Sequence, residues 1–131
     1  MHIAKQLAIF LENRPGTLAR VCQALNSAKI NIEAISTGDT VDHNVVRLVV
    51  RDWKKAMQLF EEHGSLVVET EVLVIEADNK PGLLAEIAET LAKAKINIEY
   101  CYGSTAPHSK QGVLILRASN TQKALKALNS R

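Results

Sequence analysis

The chain has 131 residues, of which 47% are hydrophobic, an ordinary composition for a folded globular protein. Sixteen basic and fourteen acidic residues leave a formal charge of +2, and no block of Lys and Arg indicates a nucleic-acid or membrane-binding surface. The longest apolar stretches are strand-sized, and Lys5 and Gln6 interrupt the N-terminus before a signal-like segment forms. We therefore expect a cytoplasmic protein that binds neither nucleic acid nor membrane.

In the first part of the chain, Leu7, Ile9 and Leu11 alternate with other residues, which predicts a strand. The loop that begins "ENRPGTLARV" at Glu12 ends this strand. Apolar residues then recur at helical spacing and predict a buried stripe on a helix over 17–27. The members of this stripe are Leu18, Val21, Cys22 and Leu25.

After "INIE", the pattern predicts a strand, a polar loop over 38–44 and a strand over 45–50. A second helix follows, marked by Trp53, Ala56, Met57 and Phe60. Leu66 to Val68 then form a fourth strand that runs without a turn into the next apolar segment. The order β-α-β-β-α-β is the ferredoxin-like arrangement, an α+β fold.

The same pattern then returns with an offset of 66 residues. "AKINIE" at 28–33 recurs identically at 94–99, and "DNKPGLLAEI" matches the earlier loop, with a helix predicted over 83–93. Two copies are too few for a solenoid, so we predict two tandem units, residues 1–70 and 71–131. The second copy reaches Arg131 after its second helix and lacks its last strand. We expect an unpaired edge beside Val72–Ile75, which favours a homodimer or larger assembly.

The repeated loop follows a strand and precedes a helix in both copies. Its matching pairs are Asn13 and Asn79, Pro15 and Pro81, and Gly16 and Gly82. Proline is expected at the first helical residue, where its missing N–H costs nothing. Glycine lets a ligand approach the helix N-terminal amides, and the asparagine amide suits an ammonium. The loop therefore fits a free amino acid, although asparagine as a helix cap and Pro-Gly as a simple turn are the alternative.

The Asn-x-x-Gly-x-Leu loop, the helix and "INIE" together resemble the ACT domain, a small-molecule regulatory module, in both copies. This resemblance implies a non-catalytic amino-acid sensor that modulates a partner such as a metabolic enzyme. It also implies a ligand site where two units meet, with the loop of one facing the strand-two start of another. The loop residues are Asn13, Gly16, Thr17, Leu18, Asn79, Gly82, Leu83 and Leu84, and the opposing residues are Asn31, Ile32, Asn97 and Ile98.

Within the family, "FLENRPGTLARV…INIEAIS" looks most like the regulatory subunit of acetohydroxyacid synthase. That subunit is similar over one ACT unit only and continues into a different domain. A free-standing tandem ACT protein is therefore the closer resemblance.

Other classes with this strand order fit less well. The third strands carry no aromatic residues for RNA stacking, and no C-x-x-C pair or histidine spacing predicts a metal. No nucleophile with a base is legible, so we predict no enzyme activity and no cofactor. Cys22 and Cys101 fall at unequal places in the copies, which argues against a structural disulfide. Two hypotheses remain: an amino-acid-binding regulator, and an ACT-fold assembly module without a ligand.

Overall fold

The computed structural model describes residues 1–38 and 43–131, so residues 39–42 of the predicted polar loop lie outside the described residues. The described residues divide into two compact units. We call Lys5–Thr70 the first unit, and Met1–Ala4 together with Glu71–Arg131 the second unit. The elements are, in chain order, β1 (His2–Glu12), α1 (Thr17–Ser27), β2 (Ala34–Thr37), β3 (His43–Val49), α2 (Trp53–Glu62), β4 (Leu66–Asp78), α3 (Leu83–Lys93), β5 (Ile98–Ser104), β6 (Gln111–Ala118) and α4 (Thr121–Asn129). The predicted α+β fold of two ferredoxin-like units is confirmed.

The first unit is an antiparallel sheet covered by α1 and α2. Strand β3 lies between β2 and β1, and Leu48 pairs with both Ile35 and Leu7. The part of β4 that belongs to this unit, Leu66–Thr70, lies beside β1. The buried core contains Leu7, Ile9, Val21, Leu25, Val46, Leu48, Val50, Ala56, Phe60 and Val67. The alternating apolar residues of the strands and the apolar stripe of the helices thus pack together in one core, as the periodicity predicts.

The second unit repeats this arrangement with Glu71–Asp78, α3, β5, β6 and α4. Strand β6 pairs antiparallel with both β4 and β5, with Leu116 opposite Leu73 and Cys101. An irregularity in register falls between Ile98 and Tyr100. The buried core contains Leu73, Ile75, Ile87, Leu91, Ile96, Leu116, Ala118, Ala124 and Leu128.

The expected unpaired edge beside Val72–Ile75 is absent from the described part of the chain, which corrects the sequence-based expectation. Strand β4 has β1 as its neighbour on that side, and residues Met1–Ala4 belong to the second unit. Ile3 packs against the second core. The start of β1 therefore takes the place of the missing last strand, since an edge with apolar residues is stabilised by any strand that pairs with it. The edge no longer supplies a reason to expect a homodimer, which stays a prediction.

The helix starts differ from expectation in two details. Pro15 and Pro81 lie two residues before α1 and α3 rather than at the first helical residue, because a glycine takes the capping position between them. Leu18 and Leu84 are 41% and 46% exposed and do not join the buried stripe. Both lie in the first helical turn, ahead of the first buried residue of each helix.

None of the helices formed by residues 1–38 and 43–131 combines the length and the apolar character needed to cross a membrane.

Candidate functional site

The loop of the first unit is held together by its own backbone and by one hydroxyl group. The Arg14 amide donates to the Glu12 carbonyl at 3.0 Å. The Thr17 hydroxyl lies 2.9 Å from the Glu12 carbonyl oxygen and 3.1 Å from that of Arg14. Thr17, which the sequence analysis placed in the site, therefore closes the loop as well as starting α1.

The loop of the second unit is held by a neighbouring loop instead. The Asn79 amide donates to the Lys110 carbonyl at 2.9 Å, and the Asn79 Nδ2 donates to the Ser109 carbonyl at 3.0 Å. Leu83 stands where the first unit has Thr17, so the closing hydroxyl is missing there. The amide group of Asn79 is thereby oriented, because its donor end is fixed by Ser109.

Glycine caps both helices in the same conformation. Gly16 and Gly82 have φ angles of +90° and +91°, in the left-handed region that favours glycine. A Cβ built on either one would have no described atom within 4 Å. The position that a Cβ would occupy is thus open in both loops, and the glycines are required by the backbone angle and not by crowding.

The capping position of α1 and of α3 is occupied by a glycine, which has no side chain to cap the helix. The capping residue is thus Gly16 or Gly82 rather than Asn13 or Asn79. The two other helices are capped in the usual way: Asp52 accepts from the Lys55 amide at 3.3 Å and Asn120 from the Lys123 amide at 3.0 Å. Uncapped amides in the first turns of α1 and α3 remain available to an anionic group.

The residues predicted to oppose the loops lie before β2 and at the start of β5. Ile32 and Ile98 are half-buried and pack against the cores of their own units. The Asn97 amide lies 3.1 Å from the Ser119 hydroxyl, and the Ser119 amide donates to the Asn97 carbonyl at 2.9 Å. Asn31 is exposed. Their backbone is thus fixed, while the side chains of Asn31 and Asn97 face solvent.

The strand register separates these residues from the loop of the same unit. In the first unit, Glu12 at the loop pairs with His43, whereas Ala34 is level with Val49 and Gln6. Six residues of strand separate Glu12 from Gln6, which corresponds to about 20 Å. The second unit shows the same separation, with Asp78 opposite Gln111 and Ile98 opposite Ala118. One unit therefore does not bring its loop and its strand-two start together.

Each unit also has a groove on the helix side of its loop, which sequence analysis did not find. The groove of the first unit has a volume of about 270 Å³ and is lined by Leu11, Thr17, Arg20, Val21, Ala24, Phe60, His63 and Ser65. The groove of the second unit is about 590 Å³ and is lined by charged residues of both signs, including Glu86 and Arg131, which lie 3.8 Å apart. The one sequence signal was the offset of 66, which replaces Arg20 by Glu86.

The described residues contain no group of three or more His, Cys, Asp or Glu side chains suited to a metal ion. Cys22 and Cys101 are free thiols.

Comparisons with known proteins agree with this geometry. Protein BT0572 from Bacteroides thetaiotaomicron is 32% identical, with a TM-score of 0.91 over 98% of this chain and 88% of that one. The regulatory subunit of aspartate kinase from Thermus thermophilus, in its ligand free form, has a TM-score of 0.73 at 19% identity over 99% and 97% of the two chains. The subunit from Thermus flavus has a TM-score of 0.66 at 20% identity over 99% and 96%. These last two likenesses concern the fold.

No match was found among curated proteins. A family model described as an ACT domain pair matches residues 1–130, in agreement with the tandem arrangement expected from the repeat. Since that model spans nearly the whole chain, this protein belongs to the family of ACT domain pairs.

Proposed function

We propose that this protein is a non-catalytic regulator that binds a free amino acid where ACT units meet and passes the signal to a separate protein. The observation that carries the proposal is the duplicated loop. Both copies place a left-handed glycine, which has no side chain to cap the helix, directly before the helix. The same open helix N-terminus, built twice, suits a carboxylate ligand.

The chemistry of the second loop fits the rest of an amino acid. Because the Nδ2 of Asn79 donates to Ser109, its carbonyl oxygen is the end left to accept from an ammonium. Leu84 and, in the first unit, Leu18 expose apolar surface next to the glycine. These leucines supply a contact for the ligand side chain, which accounts for their absence from the core.

The ligand site needs two units. The loop and the strand-two start of one unit lie about 20 Å apart along the strands, farther than an amino acid can reach. A ligand that touches Gly82 therefore meets Asn31 or Asn97 only if another unit provides that residue. We propose that the loop residues of one unit face the strand-two start of another unit.

The partner proposed is an enzyme of amino-acid metabolism. Regulatory subunits of aspartate kinase share this fold over nearly their whole length, which supports a role as a regulatory subunit or module. A cytoplasmic location and a homodimer remain predictions.

A thermal-shift screen of the twenty common amino acids tests the proposal. At 100 times its dissociation constant, the right amino acid stabilises the fold by about 2.7 kcal/mol, which raises the Tm by several degrees. Asn79→Ala is expected to abolish most of this shift, measured against its own ligand-free Tm. Asn120→Ala is the matched control, because Asn120 caps α4 and should lower the ligand-free Tm while the ligand shift stays intact. A flat response to every amino acid, with silent calorimetry, rejects the proposal.

An assembly module without a ligand is the second candidate, because the first unit exposes large apolar side chains. Leu66 is 65% exposed, and Val68 and Phe10 are each 44% exposed. Leu66 and Val68 are two residues apart in β4, so their side chains lie on the same face of the strand. If the amino-acid screen fails, light scattering that shows a dimer or larger species at micromolar concentration supports this reading.

A further inference from the structure

The groove of the first unit combines an apolar floor with a cation that has no local partner. Its floor is formed by Leu11, Val21 and Phe60, which are half-buried or buried. Arg20, His63 and Ser65 supply the polar groups at its rim. A volume of about 270 Å³ approaches the size of common small-molecule sites.

Among the described residues, Arg20 has no partner of opposite charge. It is the only charged residue of α1, and its guanidinium forms no hydrogen bond or ion pair with any described residue. It also lies in the first turn of the helix, where the aligned peptide dipoles disfavour a cation. Neither an ion pair nor the helix dipole therefore explains an arginine at this position.

His63 and Ser65 add polar groups to the same groove. The His63 Nδ1 lies 2.8 Å from the Leu59 carbonyl oxygen, so Nδ1 carries the hydrogen and Nε2 is the ring atom open to a ligand. Ser65 is half-buried, its amide donates to the Phe60 carbonyl at 3.0 Å, and its hydroxyl bonds to no described group. The arginine and the hydroxyl both donate to a carboxylate.

At the position equivalent to Arg20, the second unit carries a residue whose charge favours helix stability. Glu86 replaces Arg20 in the first turn of α3, where a carboxylate is favoured by the helix dipole. Arg131 lies 3.8 Å from it and neutralises it. The two copies thus keep the same loop but differ in charge at the groove.

We propose that the first-unit groove binds a small organic monocarboxylate with an apolar body, at a site separate from the amino-acid site. The carboxylate meets Arg20, with the Ser65 hydroxyl as a further donor, and the apolar body lies over Val21 and Phe60. No carboxylate lines this groove in the described part of the chain, so an ammonium finds no negatively charged partner there. The groove therefore selects a simple carboxylic acid over the corresponding amino acid.

The test is an NMR titration of the full chain with 3-methylbutanoate as the probe, following backbone amide shifts. We expect shifts concentrated at 20–24 and 63–65, and binding at least about tenfold weaker for 3-methylbutanamide, which lacks the charge. Arg20→Gln should weaken binding of the acid by a similar factor. Arg14→Gln is the matched control, because Arg14 is paired with Glu12 at 3.2 Å outside the groove. This variant should bind the acid with unchanged affinity.

The proposal is overturned if the amide binds as tightly as the acid, if Arg20→Gln has no effect, or if the shifts cluster at the Gly16 and Gly82 loops. The carboxylate-binding proposal can fail while the amino-acid-binding proposal holds, and the reverse is also true. Asn79→Ala should leave binding of 3-methylbutanoate unchanged, and leucine should not shift the amides at 20–24. If no amino acid changes the Tm in the thermal-shift screen, both of these NMR results can still be obtained.

Discussion

Gly16 and Gly82 lie directly before α1 and α3 with φ angles that agree within one degree, +90° and +91°. Neither glycine is crowded by any described atom. The two loops also share Asn13 with Asn79 and Pro15 with Pro81, and the backbone angle at the glycine is common to both. It turns the chain from strand to helix while leaving the helix N-terminus open.

Substitution of this glycine should therefore cost backbone strain without a steric clash. We expect Gly82→Ala to lower the free energy of unfolding by about 1 to 2 kcal/mol, the cost of a left-handed residue with a Cβ. Gly82→Asn should cost less, because asparagine visits this region more readily. Urea denaturation of both variants measures the difference. Equal stability of the alanine variant and the parent would mean that the loop relaxes to another angle.

Removal of the Asn79 side chain should loosen the loop between β5 and β6. Asn79→Ala deletes the 3.0 Å bond to the Ser109 carbonyl, at a cost of about 1 kcal/mol for an exposed hydrogen bond. Hydrogen exchange should rise at Asn79 and at 109–111. Asn97→Ala is the control, since the bonds of Asn97 run through its backbone and should survive. The interpretation fails if the two variants exchange alike.

The caps of α2 and α4 offer a contrast with the uncapped helices. Asp52→Ala and Asn120→Ala should each lower the free energy of unfolding by about 0.5 to 2 kcal/mol, because each removes the acceptor for a first-turn amide. Asp52→Asn keeps an acceptor oxygen and should recover most of the loss. Chemical denaturation measures these changes in the free energy of unfolding. If Asp52→Asn is destabilised as much as Asp52→Ala, the effect of Asp52 is due to its charge.

Ile3 links the start of β1 to the second core. Ile3→Ala should destabilise the protein by about 1 to 2 kcal/mol, less than for a fully buried isoleucine because Ile3 is half-buried. Hydrogen exchange should rise at Leu73 and Ile75 more than at Leu7 and Ile9, which belong to the first core.

His2→Ala is the control for this variant, since His2 is exposed. Faster exchange at Leu7 and Ile9 than at Leu73 and Ile75 in Ile3→Ala would contradict the assignment of Met1–Ala4 to the second unit.

Local features of the sequence were sufficient for the elements of each copy. The helices over 17–27 and 83–93 have the predicted ranges, although Pro15 and Pro81 precede them, because helical periodicity is a property of neighbouring residues. The repeat likewise identified the loop residues, since an offset of 66 is visible without any three-dimensional information.

Tertiary structure decided how distant segments combine. The place of Ile3 in the second core depends on strand pairing between residues about 70 positions apart, which no local pattern encodes. The separation of about 20 Å between the loop and the strand-two start follows from the register of β1, β2 and β3, so only the folded sheet reveals how far apart these residues of one unit lie. The groove of Arg20 exists because the end of α2 brings His63 beside α1. Periodicity predicts which face of each element is buried, but which faces and ends meet is determined by packing of the whole chain.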